Sequence, residues 1–171
     1  MFSCLKYYLL VFALTTCIGS SANAQTFSYK ELQAAYIYNF AKYIKWPAAS
    51  NTFVIGVYRE SENVEILKKA LAGKTVRSKT IEIRLLENTN DLSGINIIYL
   101  PESVSRYIKE VVAAVDGKSI LLVSEEDLIK KGAAISFVVE EDLLKFKLKK
   151  VVFDGTRLVA MDGLLKLAIL E

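Results

Sequence analysis

The sequence predicts a single α/β domain: a partly parallel mixed sheet flanked by helices and finished by a C-terminal β-hairpin. Three observations predict it. The runs TFVIGVY (52–58) and INIIYL (95–100) are rich in β-branched and aromatic residues without polar alternation, as strands covered on both faces are. Amphipathic helical segments stand between such runs, the order that builds a sheet through crossover connections. Near the C-terminus the pattern changes to two strand-like runs around an acidic turn, the spacing of a hairpin.

The first residues are expected to be a signal peptide, cut after Ala24. Lys6 is followed by an uncharged apolar run from Tyr7 to Ile18, then small polar residues ending in Ala22-Asn23-Ala24. The strongly apolar part is about 12 residues, short of the roughly 20 that span a bilayer, so no membrane insertion is expected after cleavage. Thr16 stands where a lipoprotein signal prefers Gly, Ala or Ser, which argues against lipid on Cys17. Residues 25–171 then form the one domain.

Within it, Ser28 and Glu31 make a capping box, and Phe27 with Leu32 a hydrophobic staple. Pro47 stops the helix, placed at 29–46. Leu32, Tyr36, Phe40 and Tyr43, with Ile37, Ala41 and Ile44, form its apolar face. Gln33, Tyr38, Lys42 and Lys45 fall opposite, and Asn39 lies near the buried face. Strand 52–58 follows, then a helix capped by Ser61, with Val64, Leu67 and Leu71 inward and Gly73 as its stop. Thr80–Glu87 alternates as a half-exposed strand. The strand at 95–100 ends at Pro101, and a helix runs from about Ser103 to Gly117. A strand at SILLVS leads to a short helix at 126–130. The hairpin strands are placed at 133–139 and 143–149, and a last helix at 163–170, capped by Asp162.

Composition narrows the function. The chain has no histidine and two cysteines, Cys4 and Cys17, both in the expected leader. That removes Ser-His-Asp and Cys-His catalysis, thiolate metal sites and disulfides from the mature domain. No Gly-rich phosphate loop follows any strand, so no nucleotide cofactor is expected. The acidic runs Glu125-Glu126-Asp127 and Glu140-Glu141-Asp142 lack a calcium-loop pattern; they read as charge at a helix start and as a turn. A net charge of +3 is too mild to signal nucleic acid. No catalytic or metal-ligating set is assigned.

Two surfaces remain. Tyr38, Lys42, Lys45, Trp46 and Pro47 could face a protein partner. Arg59, Glu60, Pro101, Glu102, Ser124 and Glu125 fall at the carboxyl ends of the parallel strands, where an α/β sheet places a ligand.

The stretch AAYIYNFAKYIKWP, through Ala34, Ala35, Tyr36, Ile37, Asn39, Phe40, Ala41, Trp46 and Pro47, resembles the opening signature of the YfiR family of small exported bacterial proteins. FVIGVY, LAGKTVRSKTIEIRLL, INIIYLPES, ILLVSEEDLIKKGAAISFVVEEDLLKFKLKK and DGLLKLA resemble later family blocks in order, so the likeness covers about residues 28–170. There are departures. Asn96 stands where relatives often carry a cysteine, Gly132-Ala133 replaces a common Gly-Gly, and Ser124-Glu125 a common Ser-Asp. Without cysteine, redox gating is not implied. The resemblance implies a non-enzymatic periplasmic regulator that binds the periplasmic part of an inner-membrane sensor. That sensor is a diguanylate cyclase held inactive, with lower cyclic-di-GMP and less biofilm, or a histidine kinase. A homodimer is left open. The alternative is a periplasmic small-ligand binding protein using Arg59, Glu60, Ser124 and Glu125; a carboxylate-based hydrolase ranks third, since no nucleophile–base pair can be read.

Overall fold

The computed structural model describes residues 28–47, 51–154 and 156–171. The expected leader, both cysteines and Phe27 of the staple lie outside the described residues. Helix α1 spans Tyr29–Tyr43 and opens with the capping box: the Glu31 N–H donates to Ser28 Oγ at 3.3 Å and the Ser28 N–H to Glu31 Oε2 at 3.0 Å. It ends short of the expected residue 46. Ile44 is already extended (φ −106°, ψ 135°), and Ile44–Lys45 form β1, paired antiparallel with β9, Val159–Ala160. Pro47 forbids helix only just before itself; the partner strand draws the preceding backbone into a ladder, which satisfies the same groups.

The buried stripe of α1 is also rotated from the one expected. Ala34, Ile37, Phe40, Ala41 and Ile44 are fully enclosed, but Leu32 and Tyr43 are each 39% exposed. Gln33, expected outside, is buried, and Asn39, expected near the core, is exposed. Gln33 can be inside because its Oε1 accepts from the Tyr99 hydroxyl at 3.3 Å, the kind of partner a buried amide requires.

The remaining elements are β2 (Thr52–Tyr58), α2 (Ser61–Leu71), β3 (Thr75–Val76), β4 (Lys79–Leu86), β5 (Ile95–Leu100), α3 (Ile108–Val115), β6 (Leu121–Ser124), β7 (Ile135–Glu140), β8 (Leu143–Leu148), α4 (Val151–Asp154), α5 (Asp162–Leu165) and β10 (Ile169–Leu170). The main sheet has the order β10-β8-β7-β6-β5-β2-β4-β3. The central neighbours β4, β2, β5, β6 and β7 are parallel, while β3–β4 and β7–β8 are antiparallel. The mixed, partly parallel α/β domain expected from the sequence is therefore the one observed. Alternate residues of each central strand feed two cores. Ile55, Val57, Ile97 and Val123 pack with α1 and α2, whereas Val54, Ile98 and Leu122 pack with α3.

Several boundaries differ from expectation. Ser61 is the first residue of α2, and Glu60 takes the cap position without a side-chain bond to the backbone. The segment before α3 is a 3-10 turn, Glu102–Tyr107, bent at Val104. The short helix after β6 is a 3-10 turn at Ile129–Lys131. The last helix stops at Leu165, and Ile169–Leu170 instead form β10 beside β8. That explains Leu167, 72% exposed although it fits a helical stripe. The hairpin is as expected: Glu141 (φ 53°) and Asp142 (φ 60°) are both left-handed, as a two-residue primed turn needs. Leu144, Phe146 and Leu148 face inward.

Asn96 has a structural role. The β2–β5 register shifts there, so that Val54 pairs Ile95 and Ile55 pairs Ile97. The extra residue is Asn96, whose Oδ1 accepts the Val54 N–H at 2.9 Å. The side chain thus supplies the acceptor that the bulge removes from the ladder.

Candidate functional site

The strand-end residues come to one rim, but their side chains are mostly engaged with each other. Arg59, left-handed at φ 55°, turns its guanidinium over the Tyr107 ring, 4.4 Å from the centroid, with Arg106 4.8 Å from the same ring. Those two cations hold the Tyr107 hydroxyl below the usual phenol range, Arg106 by its hydrogen bond first and Arg59 through charge. Glu60 accepts from Ser103 Oγ at 3.0 Å and from the Asn63 amide. Glu125 accepts from the Glu102 N–H at 2.9 Å. Pro101 is buried. Ser124 is fully buried: its Oγ lies 2.7 Å from Ser136 Oγ and donates to the Glu126 carbonyl at 2.8 Å. Ser136 Oγ in turn accepts the Leu128 N–H at 3.1 Å. This pair fixes the loop after β6 and leaves no hydroxyl facing solvent.

Next to that rim is an open hollow of about 510 Å³, bordered by Tyr29, Gln33, Glu102, Glu125, Glu126 and Asp127. Beneath it, Tyr99 is held protonated far above the usual phenol range, by burial first and by the Glu125 carboxylate second. Asp127 is matched by Lys147, whose Nζ lies 2.7 Å away and also 3.4 Å from Glu171. The Asp127 hydrogen bond raises the Lys147 pKa first. Among the described residues no group of three His, Cys, Asp or Glu is arranged to hold a metal ion.

The second surface lies at the C-terminal end of α1. Tyr38 is half-buried: its hydroxyl donates to the Thr75 carbonyl at 3.1 Å, and Lys42 and Lys74 stand 5.4 and 5.5 Å from its ring. Trp46 is anchored rather than presented, with Nε1 donating to the Ala41 carbonyl at 2.9 Å and its ring set edge-on to Phe53 at 5.0 Å. Pro47 is half-buried beside it, whereas Lys42 and Lys45 are exposed.

The β1–β9 ladder adds residues that sequence reasoning missed. Lys45 pairs Val159, and the Met161 N–H donates to the Tyr43 carbonyl at 2.9 Å. Tyr43 (39%), Val159 (53%) and Met161 (38%) are therefore exposed apolar groups at one small ladder that carries Lys45, with Lys42 of α1 beside it, its Nζ 5.6 Å from the Tyr43 ring. An apolar centre with cations at its rim is suited to contact with a protein surface that carries acids. The signal available in sequence was the short run LVAM after Thr156-Arg157, too brief to be read as a strand.

Among the described residues no helix is long and apolar enough to cross a membrane. A family model described as YfiR/HmsC-like matches residues 30–169. No curated protein matches the chain.

Proposed function

This chain belongs to the YfiR/HmsC-like family, and from that membership we propose that it is a non-enzymatic periplasmic regulator acting by protein–protein contact. Its partner is the periplasmic part of an inner-membrane signalling protein, a diguanylate cyclase in the first instance, which it holds inactive. The observation that carries this reading is the family match across residues 30–169. Export through a cleaved leader at 1–24 is part of the proposal. The contact surface is the ladder at the end of α1, centred on Tyr43, Val159 and Met161 and rimmed by Lys42 and Lys45, with Tyr38, Trp46 and Pro47 supporting it from below. Anchored aromatic residues keep that surface in one shape, which lowers the ordering cost of association.

A small-ligand binding protein is the second reading, favoured by the open hollow beside Glu102, Glu125 and Glu126. It ranks lower because Ser124 is enclosed and Arg59 is laid on Tyr107. Deleting the gene and measuring cyclic-di-GMP tests the first reading. A rise that the full chain reverses, and that a chain carrying Lys42→Glu and Lys45→Glu does not reverse, supports both the function and the surface. An unchanged level removes the cyclase as its target.

A further inference from the structure

Helices α1 and α2 lie side by side on one face of the sheet and run in the same direction. Near their starts, Lys30 reaches Glu62 at 3.6 Å; farther along, the Tyr38 hydroxyl donates to the Thr75 carbonyl, just past α2, at 3.1 Å. Between the two helices is an open trough of about 510 Å³, within the size range of small-molecule sites. Ser28 and Asn39 border its two ends. At about 1.5 Å per residue they stand about 16 Å apart along the axis of α1.

The trough exists because the facing side chains are short. Ala35 of α1 and Ala70 of α2 border it, and Ile66 and Leu71 complete an apolar floor. Ala35 is exposed, and Ile66 and Ala70 are only half-buried, so much of this floor meets water. Among the described residues only α1, α2 and the turn after α2 border it.

Its two ends differ in charge. At one end stand Lys69 and Lys74, and neither forms an ion pair among the described residues. Lys74 Nζ instead lies 5.5 Å from the centroid of the Tyr38 ring. Asn39, exposed at the same end, has an amide without a hydrogen-bond partner among the described residues. At the other end Glu31 carries a negative charge while accepting the Ser28 N–H at 3.0 Å. The helix C-termini at the lysine end add only about half an elementary charge each of negative sign, less than two ammonium groups supply.

We propose that this trough binds a single-chain amphiphilic carboxylate, a free fatty acid in chemical class. Its head lies among Lys69, Lys74 and the Asn39 amide, and its chain runs along Ala35, Ile66 and Ala70 toward Ser28. The length of about 16 Å suits an extended chain of roughly a dozen carbons. Laying that chain on the floor removes apolar surface of both from water. Glu31 repels the head from the far end and so sets the direction. An extended peptide fits less well, because both walls are helices whose backbone groups are already bonded internally and offer a peptide backbone no partners. The site needs neither the Lys42–Lys45 ladder nor the hollow beside Glu102, and it stands or falls apart from the function proposed above.

Titration calorimetry with dodecanoate, kept below its micelle-forming concentration, tests the proposal on protein purified after expression of the full chain. Circular dichroism confirms that each variant folds and that the ligand does not unfold it. Saturable binding at one site per chain is expected. Dodecyltrimethylammonium, the same chain with the opposite head, is expected to bind at least about tenfold more weakly. Lys69→Glu with Lys74→Glu is expected to weaken dodecanoate at least about tenfold, whereas Lys109→Glu with Lys118→Glu, the same charge change at α3 and the turn after it, leaves it unchanged within about twofold. Ala35→Trp, an exposed position that fills the trough without entering the core, is expected to abolish binding. Absence of dodecanoate binding, even where phosphatidylglycerol vesicles retain the protein, overturns the proposal. So does equal binding of the two amphiphiles, an equal effect of the two charge reversals, or normal binding by a folded Ala35→Trp protein.

Discussion

Replacing Gly56 with alanine tests the packing between β2 and β4 that holds the centre of the sheet. A Cβ at position 56 would fall 2.9 Å from Leu86 Cγ and nearer still to its Cδ1. Rotating the Leu86 tip does not clear the clash, because Cγ is fixed one bond from Cβ. Leu86 is 5% exposed and packs among Val54, Tyr58 and Ile98, so it has little room to retreat. Overpacking of this kind costs about 1–3 kcal/mol. For a domain of this size each kcal/mol lowers the melting temperature by about 3–4 °C, so the expected loss is about 3–12 °C. Thermal unfolding followed by circular dichroism gives the measurement, and the partner variant Leu86→Ala gives the control. Leu86→Ala alone should cost about 2–5 kcal/mol. Added to it, Gly56→Ala should cost almost nothing, because the clashing atoms are gone. A Gly56→Ala protein within about 0.5 kcal/mol of wild type, or strict additivity of the two changes, would refute the reasoning.

Three further outcomes are expected. Ser28→Ala removes the acceptor of the Glu31 N–H and should cost about 0.5–2 kcal/mol in urea unfolding; Ser28→Gly should cost only a few tenths. Reversing Lys42 and Lys45 together should leave the melting temperature within about 2 °C while weakening partner capture by at least about tenfold; equal capture would remove that surface from the interface. Tyr99, buried and facing Glu125, stays protonated in the fold while an unfolded tyrosine ionises near its model value of 10.0. Its contribution is therefore fully present below pH 10 and declines as the unfolded chain releases the proton at higher pH. Tyr99→Phe should flatten the loss of stability between about pH 10 and 12, even though it leaves Gln33 without its donor; an unchanged slope would show that Tyr99 does not set it.

Much of the fold was legible because its signals are local. The Ser28–Glu31 box, the enclosed run at 52–58 and the alternation of Leu144, Phe146 and Leu148 each follow from neighbours within a few residues. What was not legible came from pairing between distant segments. Ile44 leaves the helix because Ala160 offers it a ladder, and Ile169 leaves it because Lys147 does. Gln33 is drawn inside by Tyr99, and Asn96 fits a bulge set by Val54. The same limit applies to the sites. Lys42 and Lys45 were visible as exposed cations, but Val159 and Met161 become part of that surface only through β1–β9 pairing. Ser124 looked available at a strand end, and only the fold brings Ser136 against it.

Capture of the signalling partner tests the central claim most directly. The full chain, tagged at its C-terminus and expressed from its own locus, would be cross-linked in intact cells and recovered from detergent-solubilised membranes. Enrichment of an inner-membrane protein with a periplasmic segment and a cytoplasmic signalling output is expected, with loss of that enrichment on reversing Lys42 and Lys45. Recovery of no such protein from cells in which the chain is exported and folded would contradict it.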